Sequence, residues 1–518
     1  MHYIQCDRGD NMGFNKASRT ENTKKNIVSS IGNKIVLLLL TFISRRLFIH
    51  YIGVEHLGIN SLFSNVLTLL SMADMGIGTA MNVSLYKPIA EEDTKKIAAL
   101  LNYFRCVYRI IAAAVFGIGV SLVPFLKYIV NLDTNIEHLY LYYIIFVIKT
   151  AASYLYAYKT SLVKADQKMY IVNRVEIYVN LSKILGQIVV ICFWKDYLLY
   201  ILLEVVGVIV TNVLVSKKAD NQYPFINETI ELKKDEKKVL FSDISSVFLY
   251  KISWSLLNGT DNIIISILLG TVYVGLYTNY YTITSSVELL IGLLFGSITA
   301  SIGNLVATAS AEKRFATFKV MQMVSFWMCG VVCVCLFCLT QDFIGLWVGK
   351  DLQLDQLTLI AIVCNVFFSI CMRPVWTFRE GTGMYKQIRY IMFVTAILNL
   401  TLSIIMGKFL GLSGVIFATS LSKILTYFWY EPNILFHNFF KTSSINYYIS
   451  YLKNIGLLGV ALVFGFLCCN VISGDTYLGW AVKTTICFMS VNLVYYLKYR
   501  KTKEYSEIKN KIQNMLCG

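Results

Sequence analysis

The sequence predicts an all-α integral membrane protein of about fourteen transmembrane helices, with two pseudo-symmetric six-helix lobes and two extra C-terminal helices. The 518 residues are 56% hydrophobic and 15% charged, with a mean hydropathy of +0.59, which is unlike a soluble globular protein. Apolar stretches of about 20 residues, long enough to span a bilayer as helices, recur from residue 27 to residue 498. Five prolines in the whole chain agree with long helices.

Helices are expected because lipid leaves unpaired backbone groups unsatisfied and these stretches are too long and too apolar for barrel strands. In the first half we predict spans at 27–50, 57–86, 97–126, 137–160, 169–193, 197–216 and 239–269. In the second half we predict spans at 273–304, 315–340, 354–378, 384–407, 411–435, 446–471 and 477–498.

These spans divide the chain into predicted segments. The segments are a cytoplasmic N-terminal tail (1–26), an N-lobe (27–216), a charged cytoplasmic linker (217–238), a C-lobe (239–435), spans thirteen and fourteen (446–498) and a basic cytoplasmic tail (499–518). No predicted outer loop exceeds about fifteen residues, so we expect no soluble domain. This excludes most enzymes that need an aqueous catalytic domain and weakens a glycan polymerase or ligase interpretation.

The distribution of charge sets the orientation. The net charge is +16, which could indicate nucleic acid as a partner. With the N-terminus in the cytoplasm, however, the outer loops hold only four basic residues: Lys127, Lys195, Lys350 and Lys408. This asymmetry follows the positive-inside rule, so both termini are predicted to be cytoplasmic and no nucleic acid is needed to explain the charge.

The two halves of the chain repeat each other weakly. GVEHLG at 53–58 and GTVYVG at 270–275 have glycines at equivalent places, at an offset of 217. Offsets of 216 and 217 also match seven polar positions: Lys34 with Lys251, Thr41 with Asn258, Arg45 with Asn262, Lys149 with Asn365, Ser153 with Ser369, Lys183 with Asn399, and Gln187 with Ser403. We expect a duplication that makes the halves parallel repeats.

Polar residues form stripes on otherwise apolar helices. In span one the stripe is Ser30, Lys34, Thr41 and Arg45; in span seven it is Lys251, Ser255, Asn258 and Asn262. Span five carries Asn173, Glu176, Asn180, Lys183 and Gln187 at steps of three and four, which place side chains on one helix face. A charge at the bilayer centre costs about 2.5–3.5 kcal/mol, so these stripes are expected to face the bundle interior or a wet cavity.

Cations outnumber acids within the spans, which favours an anionic ligand, and arginine can bind phosphate oxygens in a bidentate manner. The predicted substrate-binding cations are Lys34, Arg45, Arg46, Lys149, Lys183, Lys251 and Arg373. The predicted ion-coupling or structural acids are Asp74, Asp261 and Glu288. Structural alternatives stay open: Arg46 could reach the headgroups, Glu176 could bridge Lys183, and Glu288 could be a satisfied core acid.

No metal or cofactor is expected. Cys335 and Cys338 have CxxC spacing, but they lie in an apolar helix where cysteine acts as a small hydrophobic residue. His50, Glu55 and His56 fall in and beside a predicted outer loop, where interfacial imidazoles are common. GLWVGKD at 345–351 does not have the spacing of a nucleotide-binding phosphate loop.

The residues resemble the polysaccharide flippases of the multidrug, oligosaccharidyl-lipid and polysaccharide exporter superfamily over nearly the whole chain. The resemblance rests on SRRLFIHYIGVEHLGINSLFSNVL followed by SMADMGIGTA, and on NGTDNIIISILLGTVYVGLYTNYY. Asp74, Gly76 and Gly78 match the family's D-x-G-x-G pattern. The layout of twelve helices plus two also agrees.

The resemblance implies two lobes around a V-shaped cavity that opens alternately to each side of the bacterial cytoplasmic membrane. It implies a non-enzymatic flippase whose substrate is an undecaprenyl-pyrophosphate-linked oligosaccharide, with a cationic lumen for the pyrophosphate and a groove for the lipid tail beside the last two helices. Membrane lipids, H+ or Na+, and the polysaccharide polymerase machinery are the other expected partners. A cation-coupled exporter of drugs or small metabolites is the alternative.

Overall fold

The computed structural model describes residues 36–71, 77–132, 136–232 and 249–517. Within these ranges the chain is almost entirely helical and contains no β-strand. In the described part of the chain, eight helices are long and apolar enough to cross a membrane, or up to ten if each of two bent helix pairs is one span. The all-α membrane fold is confirmed, whereas the count of fourteen spans is not exact by this measure.

The chain forms two compact units, and its helices are numbered here in chain order across both. Unit 1 takes its described residues from Met1–Ile52, Leu70–Leu126 and Ile136–Phe248. Its helices are α1 (36–51), α3 (Ile77–Ala90), α4 (Thr94–Ser121), α6 (Leu139–Tyr154), α7 (Ala157–Ala165), α8 (Met169–Phe193) and α9 (Tyr197–Gln222).

Unit 2 takes its described residues from Gly53–Leu69, Lys127–Asn135 and Leu249–Gly518. Its first helices are α2 (Val54–Leu70), α5 (Leu126–Ile129, which begins in unit 1), α10 (249–259), α11 (Asp261–Leu269), α12 (Thr271–Thr308) and α13 (Ala311–Trp347). The others are α14 (Gln356–Cys371), α15 (Arg373–Thr382), α16 (Tyr385–Leu425), α17 (Tyr427–Leu435), α18 (Ile445–Cys469), α19 (Tyr477–Tyr499) and α20 (Lys503–Cys517). Because α2 falls in unit 2, the units do not coincide with the predicted lobes, whose boundaries stay a prediction.

Side-chain caps begin several of the long helices. The Asp93 carboxylate accepts a hydrogen bond from the backbone N–H of Lys96 at 2.9 Å, and Asp196 does the same for Leu199 at 3.1 Å. Asp355 accepts from the backbone N–H of Thr358 at 2.9 Å. These caps satisfy N–H groups that have no partner inside the helix, so the starts of α4, α9 and α14 are fixed by single residues.

Two helix breaks recur at equivalent places. The pair α6 and α7 is bent by 43° after Tyr154, and the pair α14 and α15 is bent by 42° after Cys371. Tyr154 and Cys371 are 217 residues apart. A further break lies inside α16, where Gly411 has a φ of 61°. Glycine adopts this left-handed conformation without steric cost, so the predicted spans eleven and twelve are separated at this residue.

Within unit 2, α2 and α12 cross at two glycines. A side chain at Gly58 would collide with the carbonyl group of Thr271, and one at Gly275 would collide with the carbonyl group of Val54. The two contacts are related by the offset of 217, since Val54 corresponds to Thr271 and Gly58 to Gly275. The glycines singled out in the sequence are therefore the positions at which these two backbones come closest.

The predicted linker is in part an element of unit 1. Helix α9 continues to Gln222, and a 3₁₀ turn, Pro224–Asn227, follows it. Ile226 and Leu232 are buried in the core of unit 1. The Asn102 amide on α4 donates to the backbone carbonyl of Glu228 at 2.6 Å. Residues 233–248 lie outside the described ranges.

Candidate functional site

Two of the predicted cations meet at one carboxylate in unit 1. The Lys183 Nζ atom on α8 lies 3.1 Å from Glu204 Oε1, and the Lys149 Nζ atom on α6 lies 3.5 Å from Glu204 Oε2. The Gln187 Nε2 atom donates to Glu204 Oε1 at 3.0 Å. Three helices, α6, α8 and α9, therefore converge on the side chain of Glu204.

Helical spacing explains this convergence. Lys183 and Gln187 are four residues apart on α8, so both face α9. Gly207 lies on α9 about one turn beyond Glu204, and a Cβ atom at this position would lie 3.0 Å from Lys183 Cδ. The absence of a side chain at Gly207 therefore gives the aliphatic part of Lys183 the room it needs to reach Glu204.

Arg45 belongs to the same region of unit 1. Helix α1 packs on α9 through Phe48, whose ring centroid lies 4.9 Å from that of Tyr200. Arg45 is one turn before Phe48, is half-buried and lies within electrostatic range of Tyr200. Tyr200 in turn precedes Glu204 by one turn of α9. Tyr200 thus lies within electrostatic range of both Arg45, on a fourth helix, and Glu204.

We call Arg45, Lys149, Lys183, Gln187 and Glu204 the cationic group. Within it, Lys149 and Lys183 share Glu204 as their carboxylate partner, so two positive charges are paired with one negative charge. The side chains of Lys149, Lys183 and Glu204 are 23%, 19% and 22% exposed. The ammonium groups are therefore sheltered but reachable, which suits the binding of an anionic group such as a phosphate.

The structure does not bring all predicted cations to this group. Arg46 is on α1 but exposed, and Lys251 is half-buried on α10 of unit 2. Arg373 is at the start of α15, where its guanidinium lies 5.3 Å from the Trp376 ring centroid and within electrostatic range of Glu288. Lys34 and Asp74, which were also predicted site residues, lie outside the described residues.

Asp261 is the centre of a polar group in unit 2. The Thr419 hydroxyl donates to Asp261 Oδ2 at 3.2 Å and accepts from the Asn399 amide at 3.1 Å. Among the described residues, Asp261 Oδ1 and Asn399 Oδ1 are buried and have no hydrogen-bond partner. Ser403 lies beside Asn399, with Oγ 3.5 Å from Asn399 Nδ2. We call these four residues the Asp261 group, and its unpartnered oxygens are suitable ligands for a small hard cation or a proton.

A buried lysine links this group to Glu288. Lys423 is 8% exposed and lies within electrostatic range of both Asp261 and Glu288. Because Arg373 is in turn near Glu288, two acids and two cations alternate in this part of unit 2. The balance of charge differs from that of unit 1, where cations are in excess.

Sequence reasoning identified Lys149, Lys183 and Gln187 but gave no role to Glu204, Thr419 or Lys423. Their polar character within apolar helices was a visible signal, but their partners are distant in sequence. Sequence reasoning also gave no role to the ion pair between Arg379 and Glu431. Their Nη1 and Oε1 atoms are 2.9 Å apart, and both side chains are almost fully buried. This pair has a structural role, because each charge is neutralised by the other.

Ion pairs at the ends of the unit 1 helices also read as structural. The Lys159 Nζ atom lies 2.7 Å from Asp220 Oδ1 and 2.7 Å from the Ser216 hydroxyl. The Tyr223 hydroxyl donates to Asp166, which is also paired with Lys168 at 2.8 Å. Burial, with the neighbouring Asp166 carboxylate, raises the pKa of Tyr223. These contacts join the end of α7 to the C-terminal end of α9.

Three cysteines come together in unit 2. The sulfur atoms of Cys338, Cys469 and Cys487 lie within 4.8 Å of one another, and this is the one grouping of potential metal ligands found among the described residues. Cys335 Sγ is 3.8 Å from Cys487 Sγ. Val334, Ala461 and Val491 form the apolar core around these helices. The expectation that the cysteines pack as small apolar residues stays a prediction.

Comparison with known proteins adds the family and the fold. Residues 23–302, more than half of the chain, match the family model described as polysaccharide biosynthesis protein. No curated protein sequence gives a significant match.

Solved structures with similar folds include a flippase and multidrug resistance transporters. The lipid II flippase MurJ in an inward closed conformation is 15% identical, with 92% of this chain and 99% of that chain covered and a TM-score of 0.67. An inward-facing multidrug resistance transporter of the MATE family and MOP superfamily is 12% identical over 78% of this chain and 97% of that chain, with a TM-score of 0.58. An outward-facing MATE transporter is 13% identical over 81% and 97%, with a TM-score of 0.52.

These identities are too low to assign a substrate, but the shared fold covers most of each chain. The family match and the fold agree with the resemblance seen in the sequence, which is confirmed. The chain shares its fold with solved structures of a lipid II flippase and of multidrug resistance transporters, and it belongs to the polysaccharide biosynthesis protein family.

Proposed function

We propose that the protein is a flippase that moves an undecaprenyl-pyrophosphate-linked oligosaccharide from the inner to the outer leaflet of a bacterial cytoplasmic membrane, for surface polysaccharide export such as O-antigen or capsule. Both termini would be cytoplasmic, and a polysaccharide polymerase would consume the product. The family match and the flippase and transporter folds support a transport role. The single observation that favours a pyrophosphate substrate is the cationic group.

The excess charge of this group is the core of the argument. A sheltered cluster of two lysines that share one acid is costly in a membrane protein, and a structural role would be served by equal numbers of opposite charges, as in the pair of Arg379 and Glu431. A bound pyrophosphate would supply the missing negative charge. Lys149 and Lys183 would act as charged donors, and Arg45 would add a bidentate contact.

The barrier to flipping explains why such a group would help. A pyrophosphate with its sugars cannot cross hydrocarbon without losing its hydration, whereas the prenyl chain is already soluble in lipid. Cations that are exposed in turn to each side of the membrane would replace part of that hydration during alternating access. An inside-negative potential would also favour the outward movement of negative charge, by about 2.3 kcal/mol per charge per 100 mV.

The test compares two cations of the group, Arg45 and Lys183, with a cation on the same helix as Lys183 that does not belong to the group. Arg45→Ala and Lys183→Ala should each reduce flipping of a labelled lipid-linked oligosaccharide in proteoliposomes by about tenfold or more, since a charge-assisted hydrogen bond contributes about 1.5–3 kcal/mol. Arg174→Ala is the control, because Arg174 is an exposed cation on α8. Normal flipping by both site variants, at normal protein levels, would exclude a cationic substrate site.

The alternative is a cation-coupled exporter of drugs or small metabolites. The Asp261 group and the MATE transporter fold favour this reading, whereas the cation excess of unit 1 opposes a cationic drug. We propose that the Asp261 group serves the flippase instead, by binding H+ or Na+ as the coupling ion. Its two unpartnered oxygens, on Asp261 and Asn399, are the observation that supports this assignment.

Ion replacement tests this second proposal. Flipping by the unaltered protein should depend on a gradient of Na+ or of H+, and Asp261→Asn should abolish that dependence while the protein still folds. Glu288→Gln is the matched control, because it removes a nearby carboxylate that lacks the Thr419 and Asn399 contacts. Unchanged ion dependence in Asp261→Asn would show that coupling does not require the Asp261 group, and equal loss in both variants would show that the effect is not specific to it.

A further inference from the structure

A cavity of about 410 Å³ lies in unit 2, among helices that do not contribute to either group described above. Its walls come from the first turns of α13 and α18, the last turn of α19 and the start of α20. Helices α13, α18 and α19 are strongly apolar whereas α20 is polar, which is the arrangement expected where hydrocarbon meets water. It shares no residue with the cationic group or the Asp261 group.

The cavity has an excess of positive charge. Lys319 on α13, Lys453 on α18 and Lys498 on α19 line it, and the one acidic residue in the lining is Glu504 on α20. All three lysines are exposed, while Glu504 is half-buried. The Lys319 ammonium is held 4.5 Å from the Phe315 ring centroid. Three cations from three helices thus meet at one opening, which favours an anionic ligand.

A buried donor in the same cavity has no partner. Gln322 lies one turn beyond Lys319 on α13 and is only 8% exposed. Among the described residues, its Nε2 atom has no hydrogen-bond partner. The neighbouring Asn454 is satisfied, because it donates to Cys371 Sγ and accepts from the Tyr495 hydroxyl. An unpaired buried amide N–H is destabilising, and an acceptor oxygen entering the cavity would remove that destabilisation.

The remaining wall is apolar. Phe326, Phe436 and Leu457 line the cavity beside the polar residues. Lysine side chains at such a boundary lay their methylene groups on apolar surface and direct the ammonium toward water. A ligand that matches this surface carries an anion at one end and hydrocarbon at the other, which describes a phosphorylated lipid better than a soluble anion.

We propose that this cavity binds the phosphodiester headgroup of an anionic phospholipid. The phosphate would be held by Lys453 and Lys498, the Gln322 amide would donate to a headgroup oxygen, and the acyl chains would lie along the apolar wall. The predicted cytoplasmic placement of this end agrees with the attraction of basic clusters to anionic lipids of that leaflet.

The bound lipid would also fasten the C-terminal helix. The Tyr505 ring of α20 stacks on Trp327 of α13 at a centroid distance of 6.1 Å, and Thr502 donates to Met323 Sδ at 3.8 Å. Glu504, which precedes Tyr505 in the sequence, lines the cavity together with the lysines. A phosphate bridging Lys453 of α18 and Lys498 of α19 would join α18 to α19, which α20 contacts through the rings of Tyr505 and Tyr496. This role is independent of the transported substrate.

The experiment measures lipid binding to the full-length protein by native mass spectrometry, with phosphatidylglycerol and phosphatidylcholine as probes. The protein should prefer phosphatidylglycerol, and Lys453→Ala combined with Lys498→Ala should weaken its binding by about tenfold or more. Lys313→Ala combined with Lys509→Ala is the charge-matched control, since both lysines are exposed and outside the cavity lining. It should change the affinity by less than about twofold.

Other outcomes overturn the proposal. Equal loss of phosphatidylglycerol binding in both double variants would show a general charge effect. Stronger binding of undecaprenyl pyrophosphate than of phosphatidylglycerol, lost in the cavity variant, would assign the cavity to the transported lipid. Displacement of the lipid by inorganic phosphate alone would assign it to a soluble anion. A thermal midpoint without lipid that is equal in all variants confirms that folding is not the cause, and flipping by Arg45→Ala tests the proposed function separately.

Discussion

The cationic group of unit 1 and the Asp261 region of unit 2 occupy equivalent positions in the sequence but carry different chemistry. Lys149 and Glu204 pair in unit 1, and their counterparts at an offset of 216, Asn365 and Ser420, pair in unit 2, where the Ser420 hydroxyl donates to Asn365 Oδ1 at 2.8 Å. Lys183 corresponds to Asn399, which bonds to the residue before Ser420. The same helix positions are therefore in contact in both units.

The difference lies in charge. Unit 1 places lysines and a glutamate where unit 2 places asparagines and a serine, and unit 2 has its carboxylate at Asp261 instead. A duplication would give one pattern of contacts in both halves, and it stays a prediction. The comparison shows that contact positions and charge can change separately, so one framework can present cations to an anion and oxygens to a small cation.

The largest effect is expected when unit 1 is given the residues of unit 2. Lys149→Asn with Lys183→Asn leaves Glu204 without its cations, so the free energy of unfolding should fall by about 2–3 kcal/mol. This is below the loss for a fully buried pair because Glu204 is 22% exposed. Adding Glu204→Ser should restore the stability, because the neutral pair exists in unit 2. Stability is measured by thermal unfolding in detergent.

The triple variant separates folding from function. It should insert into the membrane and have a normal free energy of unfolding. It should nevertheless fail to flip the lipid-linked oligosaccharide, because it lacks two of the three cations of the group. Wild-type flipping by a stable triple variant would show that the lysines serve only to neutralise Glu204. A triple variant as unstable as the double variant would contradict the equivalence of the two sets of positions.

A smaller effect should separate stability from flipping, because the lysine that matters more for stability lies in unit 2 and the lysine that matters more for flipping lies in unit 1. Lys423→Met removes the cation between Asp261 and Glu288, and should lower the free energy of unfolding by about 1–3 kcal/mol because two carboxylates lose a charged neighbour. Lys183→Met leaves Lys149 beside Glu204, so its stability loss should be within about 1 kcal/mol. Flipping should show the reverse ranking, with Lys183→Met the more impaired. Parallel rankings in the unfolding and flipping assays would refute this division of roles.

Much of the fold could be predicted because it depends on local patterns. Apolar length gave the helices, and the spacing of Lys183 and Gln187 placed them on one face, as the structure shows. The bend after Tyr154 was not foreseen, because predicted span four ran through it to residue 160. A bend depends on packing partners, which are not encoded in the hydropathy of the bent segment.

The partners in the candidate site could not be predicted from the sequence in the same way. Glu204 follows Lys183 by 21 residues and Lys149 by 55, so their contact depends on how α6, α8 and α9 pack. Thr419 and Asp261 are 158 residues apart. Periodicity indicates which face of a helix is polar, but only the packing of helices determines which polar faces meet.

The smallest predicted effect concerns the position of one ammonium group. Gly207→Ala places a Cβ atom 3.0 Å from Lys183 Cδ, so the flexible lysine must shift by a few tenths of an ångström. Helix propensity favours alanine over glycine by about 1 kcal/mol, so stability should be unchanged or slightly higher. Flipping should fall by about twofold to fivefold, since a displaced Lys183 loses part of a charge-assisted contact.

Gly186→Ala provides the matched control on the facing helix. Its Cβ atom would meet only Leu203 Cδ1, at an ordinary distance of 3.5 Å, so the same gain in helix propensity comes with no displaced charge. The control should therefore flip substrate at the normal rate, measured in the same proteoliposomes. If both alanine variants lose flipping equally, the packing of α8 on α9 limits transport. If only Gly207→Ala loses flipping, the position of the Lys183 ammonium limits transport.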